Sequence, residues 1–162
     1  MKEYLPEVIS APPIHLIGKR YQGPYWELGP LISQAYQWAN DNVMLVGGSL
    51  SAVFYDNPRK TMPEKWRSLV GIPVNEDFDS RALPDGFEEI LLEPCLMVRV
   101  LYEGFYYSQE KLQAYLSLYQ WLQNSLDYNH QGSMAMERYL NSPHVLLEQE
   151  TATEISFFIT EK

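Results

Sequence analysis

The chain repeats itself, and that constrains its fold more than any other feature. The stretch "EVISAPPIHLIGKRYQGPY" (7–25) parallels "EEILLEPCLMVRVLYEGFY" (88–106). Glu7, Ile9, Pro13, Tyr21, Gly23 and Tyr25 recur 81 positions later as Glu88, Ile90, Pro94, Tyr102, Gly104 and Tyr106. "YQW" stands at 36–38 and again at 119–121, where the offset is 83. "YDNP" (55–58) then faces "YLNSP" (139–143), with Tyr55 matching Tyr139 and Pro58 matching Pro143. Three runs of matches in one order, with an offset that only grows, argue for an internal duplication.

Each copy reads alike. An alternating apolar segment ("IHLIGKRY", "CLMVRVLY") is followed by a glycine turn and then a helix. In the second helix Ser108 suits the N-cap and Glu110 the first turn. Leu112, Tyr115, Leu116, Tyr119, Leu122 and Leu126 follow at 3- and 4-residue steps, an amphipathic stripe. In the first helix Pro30 suits the first position, and Leu31, Ala35, Trp38, Ala39 and Asn42 continue the stripe. Two strands close each copy, roughly 50–56 and 67–74, then 134–140 and 154–160. This predicts a single domain over 1–162: repeat one at about 7–74, a polar linker at 75–86, and repeat two at about 88–160. A strand–helix–strand–strand unit cannot cover its own sheet, whereas two units can share one. The expected fold is α+β with pseudo-twofold symmetry. It has one antiparallel sheet, helices on one face and a concave ligand cleft on the other.

One carboxylate stands out. Met134, Met136 and Leu140 alternate with Ala135, Glu137 and Tyr139. With the first set under the helices, the second faces the cleft. In the first copy Leu50, Ala52 and Phe54 form the apolar set, and Ser51, Val53 and Tyr55 the cleft set. Aligning Tyr55 with Tyr139 sets Val53 opposite Glu137, so both repeats offer a tyrosine and one offers a charge. A carboxylate among rings is costly to desolvate, and a cationic ligand would relieve that cost. Alternatively, Glu137 pairs with a lysine or arginine, or points at solvent. Arg138 falls on the apolar face, where its stem can snorkel. Tyr25, Trp26, Tyr106 and Tyr107 follow the two glycine turns and are expected to flank the cleft mouth. Trp66 is read as cleft wall or core. The "YQW" aromatics are read as core or helix surface, and Pro58 and Pro143 as turn formers.

The remaining composition mostly excludes. Net charge is −9, and the basic clusters "NPRK" and "EKWR" are too small for a nucleic-acid footprint. The lone Cys95 lies in an apolar run and is read as a buried structural thiol. No stretch approaches the roughly 20 apolar residues of a membrane span. The start lacks the apolar core of a signal peptide, so a cytoplasmic protein is expected. His15, His130 and His144 are read as satisfied or solvated. No zinc spacing, Ser–His–Asp order or phosphate loop can be placed ("GGS" at 47–49 has no following lysine). No metal or cofactor is expected.

"QGPYWELGPL", "AVFYDNPRKTMPEKWRSLVGIPV" and "MERYLNSP" resemble the GyrI-like small-molecule-binding family. That family is related to effector-binding domains of multidrug-responsive regulators and to SOUL haem-binding-type proteins. The resemblance runs from about residue 5 to residue 160. It implies two repeats forming a saddle that takes hydrophobic, often cationic, small molecules. It also implies that Glu137, the position matching the family's ligand-facing glutamate, lies in the site. Strand signals begin by about residue 7, so the stand-alone form is expected rather than a regulator with a helix-turn-helix. The leading expectation is a binder of a hydrophobic, cationic or aromatic compound, with Glu137, Tyr139, Tyr55, Tyr106, Tyr25, Trp66, Trp26 and Tyr107 as candidate ligand-binding residues. Two alternatives follow from the resemblance. One is a hydrolase of electrophilic genotoxins such as cyclopropanoids, with Glu137 as catalytic residue handling water. The other is a protein-interaction module such as a gyrase inhibitor.

Overall fold

The structure is a computed structural model and describes residues 2–141 and 150–162. Pro143 and His144 therefore lie outside the described residues. The first repeat holds β1 (Glu7–Ala11), β2 (Ile14–Gln22), α1 (Gly29–Asp41), β3 (Ser51–Phe54) and β4 (Arg67–Pro73). The second holds β5 (Glu88–Leu92), β6 (Cys95–Phe105), α2 (Gln109–Asn124), β7 (Tyr128–Tyr139) and β8 (Glu150–Glu161). Each repeat thus opens with a short strand beyond the strand–helix–strand–strand unit. Pro12 and Pro13 in one copy, and Glu93 and Pro94 in the other, separate it from the strand that follows, because proline cannot donate to a ladder. The helix ends are as their residues dictate. Pro30 sits in the first turn of α1, and the Ser108 hydroxyl accepts from the Lys111 amide at 3.2 Å to cap α2.

All eight strands join one antiparallel sheet in the order β1-β6-β8-β7-β3-β4-β2-β5. The order reads the same from both ends once equivalent strands are exchanged. β1 pairs with β6 of the second repeat, and β5 with β2 of the first. The registers fix the equivalence residue by residue. Tyr21 lies opposite Ser68, and Ser68 opposite Phe54. Tyr102 lies opposite Thr153, and Thr153 opposite Tyr139. Since Tyr21 corresponds to Tyr102, Phe54 is the counterpart of Tyr139, and two residues back Ala52 is the counterpart of Glu137. Ala52 and Glu137 are also direct cross-strand partners, so the pseudo-twofold axis passes between them.

This corrects the alignment of Tyr55 with Tyr139 and of Val53 with Glu137. Side chains alternate along a strand, so a slip of one residue moves every side chain to the opposite face. Tyr55 and Val53 belong to the face that Met134 and Met136 share, where one cluster gathers Leu16, Val53, Leu69, Met136 and Phe158. Among the described residues that cluster draws on the strands and on Tyr55 just after β3, with no helix over it. A long antiparallel sheet twists and curls, which lets it enclose its own apolar side chains. The middle of this face is therefore buried, and the main cavity does not open on it, contrary to the expected cleft. Ala52, Phe54, Ala135 and Tyr139 lie on the other face, in the larger core with α1 and α2. α1 packs on β4 and α2 chiefly on β6, which leaves the central pair β3 and β7 accessible between them. The cavity opens there, on the helical face.

Two glycines aim the loops that follow β2 and β6. Gly23 has φ of 146°, and a Cβ there would lie 2.9 Å from the Tyr21 hydroxyl. At its counterpart Gly104, a Cβ would meet the Tyr102 hydroxyl at 2.5 Å. Each tyrosine packs back over its own turn and excludes a side chain there. Tyr102 then donates to the Phe105 carbonyl at 2.6 Å and contacts the Ser108 hydroxyl, linking the turn to the α2 cap.

Candidate functional site

The cavity holds about 660 Å³ and lies between α2, the β6–α2 loop, the short 3-10 turn at Tyr25–Glu27 and the loop after β3. Its floor is Phe54 of β3 with Ala135 and Glu137 of β7. One wall is the α2 stripe Leu112, Tyr115, Leu116 and Tyr119. The residues of α2 with no exposure at all are Ala114 and Leu118, so the apolar stripe read from sequence does two things: Leu112, Tyr115, Leu116 and Tyr119 line the cavity, while Tyr115 and Tyr119 also pack on Phe157 of the sheet. This volume falls in the range of small-molecule pockets, and the lining is mainly aromatic and aliphatic with a few polar groups.

Glu137 is 3% exposed and bonded on both oxygens. Oε1 accepts from Lys111 Nζ at 2.8 Å and from the Tyr139 hydroxyl at 3.1 Å. Oε2 accepts from the Tyr115 hydroxyl. The Tyr139 proton is committed to Glu137, so in the 3.2 Å contact between Tyr106 and Tyr139 the Tyr106 hydroxyl donates. A relay therefore runs from Tyr106 through Tyr139 to the carboxylate. Lys111 Nζ also lies 3.7 Å from the centroid of the Tyr106 ring, a cation–π contact. Burial, and then the Glu137 charge, hold the Tyr106, Tyr115 and Tyr139 hydroxyls well above the ordinary phenol range. The alternative weighed for Glu137, pairing with a lysine, is the arrangement present. Lys111 stands 26 residues away on another element, joined to it only by the fold.

The expected mouth residues come together. Tyr25, Trp26, Tyr106 and Tyr107 all line the cavity, with Trp26 and Tyr107 the more exposed. Tyr139 is buried beneath them and reaches the site through Glu137 and Tyr106. Trp66 stands behind the wall: its ring lies 4.6 Å from Tyr25 and 5.5 Å from Trp26, and its indole donates to the Thr61 carbonyl at 2.7 Å. Tyr55 is not part of the site. It lines a smaller hollow of about 420 Å³ with Arg20, Gln22 and Arg67. Tyr115, Tyr119, Lys111 and Phe54 are the lining residues the sequence reading did not single out as ligand-facing. The period of α2 marked Tyr115 and Tyr119 as apolar-stripe positions but could not say that the stripe faces a void.

The "YDNPRKTMPEKWR" stretch has a structural account. Asp56 takes the Arg67 guanidinium at 2.9 and 3.0 Å and the Arg67 amide at 2.8 Å. The hydrogen bond from Arg67 holds the Asp56 carboxyl below its ordinary range. The Tyr25 hydroxyl donates to the Asp56 carbonyl at 2.9 Å and accepts from the Asp56 amide at 3.1 Å. Burial pushes the Tyr25 phenol up to about 12. The loop Asp56–Arg59 is thereby fastened at the cavity rim, and Pro58 forms part of that rim.

The other sequence expectations fall elsewhere. His130 lies within β7, stacked on Phe157 at 4.6 Å with its Nε2 against the Met134 carbonyl. Burial lowers its pKa. Cys95 is half-buried in the strand-only cluster, and burial raises its thiol pKa. Arg138 meets Glu154 at 3.3 Å, which gives its charge a partner on the neighbouring strand. Among the described residues no group of three or more His, Cys, Asp or Glu is placed to hold a metal, and no helix is long and apolar enough to cross a membrane.

This site and sheet define a class, an α+β small-molecule-binding domain of two fused repeats. The chain belongs to the GyrI-like small-molecule-binding domain family, which it matches over residues 5–159. It is similar to the C-terminal domain of EcmrR, with TM-score 0.72 and 21% identity over 98% of this chain and 99% of that one. The same protein in an EcmrR–DNA complex aligns with TM-score 0.73 and 21% identity over 98% of this chain, which spans 58% of the EcmrR chain. A hydrolase from Listeria innocua aligns with TM-score 0.65 and 12% identity over 96% of this chain and 91% of that one. SAV2435 bound to tetraphenylphosphonium aligns with TM-score 0.61 and 10% identity over 98% and 94%. At these identities the likeness shows a common fold. No functionally curated protein matches the chain.

Proposed function

We propose that this protein binds a hydrophobic, aromatic small molecule, cationic or neutral, in the cavity between α2 and the mouth loops, as a cytoplasmic effector or xenobiotic binder. The observation that carries this is the roughly 660 Å³ aromatic-lined cavity seated on one buried, hydrogen-bonded carboxylate. The tetraphenylphosphonium complex of a protein with this fold supports the choice of probe. Tyr25, Trp26, Tyr106 and Tyr107 would stack on the ligand, and Tyr115 and Tyr119 would flank it. Tyr139 and Trp66 act behind the wall. Net charge of −9 and the small size of the basic clusters "NPRK" and "EKWR" argue against direct nucleic-acid binding.

The hydrolytic alternative asks more of Glu137. A general base needs a lone pair aimed at water, and here three donors already engage the two oxygens. That supports binding over turnover.

The test is a thermal-shift titration with tetraphenylphosphonium and the neutral triphenylphosphine oxide, on wild type and on Leu116→Arg, which sets a charge in the wall. Ligand at 100 times its Kd stabilises by about 2.7 kcal/mol, or roughly 5–10 °C for a chain of this size. A saturable rise with either compound in wild type, lost in Leu116→Arg, is expected. No rise with either compound, or a rise that Leu116→Arg leaves intact, would overturn the assignment of the cavity.

A further inference from the structure

The cavity already contains a cation. Lys111 Nζ sits 2.8 Å from Glu137 Oε1 and 3.7 Å from the Tyr106 ring centroid. Its side chain is only 12% exposed, and that of Glu137 4%. A carboxylate with aromatic faces beside it is the environment that would recognise a desolvated organic cation. Here the chain's own ammonium fills that place. We propose that Lys111 acts as an internal stand-in for a cationic ligand, so that the cavity selects neutral aromatic compounds, with Lys111 the residue that sets the selection. This rests on the binding reading above and narrows its ligand class.

The argument is one of exchange. A cation entering the cage must expel the ammonium, so one carboxylate–cation pair replaces another and little electrostatic gain remains. The displaced lysine also loses its cation–π contact, and its stem must leave the wall. A neutral ring system displaces no charge; it covers the apolar wall and leaves the Lys111–Glu137 pair intact. An anion meets a site in which Lys111 is already neutralised by Glu137, inside a protein of net charge −9. The closed pair therefore offers an anion no net attraction, and the negative charge of the whole protein opposes its approach. Asp56, the other acid lining the cavity, is held by Arg67 and offers no free charge to a cation.

The second repeat alone has this device. The counterpart of Glu137 across the pseudo-axis is Ala52, so a cation displaced from Glu137 finds no second carboxylate on the floor. Neutral selection then depends on a single lysine, and removing that lysine should convert the site.

Calorimetric titration with three probes of similar ring content tests this: tetraphenylphosphonium, triphenylphosphine oxide and tetraphenylborate. The proteins are wild type, Lys111→Met, and Lys111→Met combined with Glu137→Gln. In wild type the neutral oxide should bind at least about tenfold tighter than either ion, the discrimination expected from one unfavourable charge exchange. In Lys111→Met the phosphonium should gain at least about tenfold, because Glu137 is left without its partner. In the double variant, which buries neither charge, the phosphonium should still gain about threefold over wild type from the vacated ring face. This variant decides the matter should Lys111→Met alone fail to fold. Equal or tighter binding of phosphonium than of oxide by wild type overturns the proposal while leaving the binding reading intact. So does a phosphonium-to-oxide ratio unchanged in the double variant. Absence of binding by all three probes to every form overturns the binding reading itself, and the proposal with it.

Discussion

The two repeats share a frame but not a site. Tyr25 packs edge-on against Phe54 at 4.7 Å, and Tyr106 packs edge-on against its counterpart Tyr139 at 5.7 Å. In the second repeat the rings carry hydroxyls that converge on Glu137, and α2 supplies Lys111 and Tyr115. In the first, Phe54 has no hydroxyl, Ala52 has no charge, and the Tyr25 hydroxyl turns outward to fasten the Asp56 loop. α1 contributes no residue to the cavity lining. One repeat thus supplies the buried carboxylate and its donors, while the other supplies Phe54 to the floor and the Asp56–Arg59 rim. A duplicated fold offers a symmetric groove, and breaking the symmetry gives that groove a direction.

Making the repeats alike again should be destructive. Ala52→Glu would copy the charge into the first repeat at a position with no exposure, directly across from Glu137. Two carboxylates would then lie at the axis with one lysine between them. The expected loss is about 4 kcal/mol or more, since a buried uncompensated charge joins a like-charge contact. Chemical denaturation measures it, and a loss under about 1 kcal/mol would mean the axis is wetter than the structure has it.

Lys111→Met comes next. It strands Glu137 and should cost about 3 kcal/mol, while the added change Glu137→Gln should recover much of that. Additive losses in that double-mutant cycle would show the pair to be uncoupled.

How much of this was legible follows from which forces are local. The duplication, the helix caps and the glycine turns depend on neighbours a few residues away, and they read directly from sequence. So did the mouth aromatics, because Tyr25 and Tyr106 recur at matched positions. The face assignment of β3 depended on whether Tyr55 or Phe54 matches Tyr139. Composition favoured the tyrosine, but the two-residue period makes a one-residue error total. The Lys111–Glu137 pair was invisible for a different reason. It joins a helix to a strand across 26 residues, and any of several lysines or arginines could have served. The void beneath α2 left no mark in the pattern either. An apolar stripe is written identically whether it meets a core or a ligand.

A smaller effect should follow from erasing the relay. Tyr139→Phe makes the second repeat resemble the first, removing the bond to Glu137 and the acceptor for Tyr106. Lys111 and Tyr115 still hold the carboxylate, so the cost should be about 1.5 kcal/mol. The converse, Phe54→Tyr, adds a hydroxyl that lines the cavity and can stay hydrated there, while Ala52 offers it no partner like Glu137. It should be near neutral in stability. Denaturant midpoints of the two variants check the asymmetry, and equal costs would contradict it.

The smallest effect belongs to the rim, and pH sharpens it. Asp56 is held below its ordinary pKa by hydrogen bonds from Arg67, its folded value lying under its unfolded one. Such a group contributes stability fully present above the unfolded pKa, and that contribution is lost as pH falls through the folded one. At neutral pH, Asp56→Asn should therefore lower Tm by roughly 2–4 °C, for about 1 kcal/mol of charge-assisted bonding at a partly exposed site. The gap between wild type and variant should begin to close as pH falls below about 4, where the unfolded aspartate takes up its proton, and should vanish only once pH has passed through the lowered folded value. No counterpart to this clamp is expected from the relay, whose phenols stay neutral across that range and whose raised pKa values act only on the alkaline side. Scanning calorimetry of Asp56→Asn and Tyr139→Phe at several pH values separates the two halves. A Tyr139→Phe deficit that keeps its size between pH 7 and pH 5, beside an Asp56→Asn deficit that shrinks once pH falls below about 4, is the expected pair. An Asp56→Asn deficit independent of pH would mean that the loop is held by Tyr25 and the backbone rather than by the aspartate's charge.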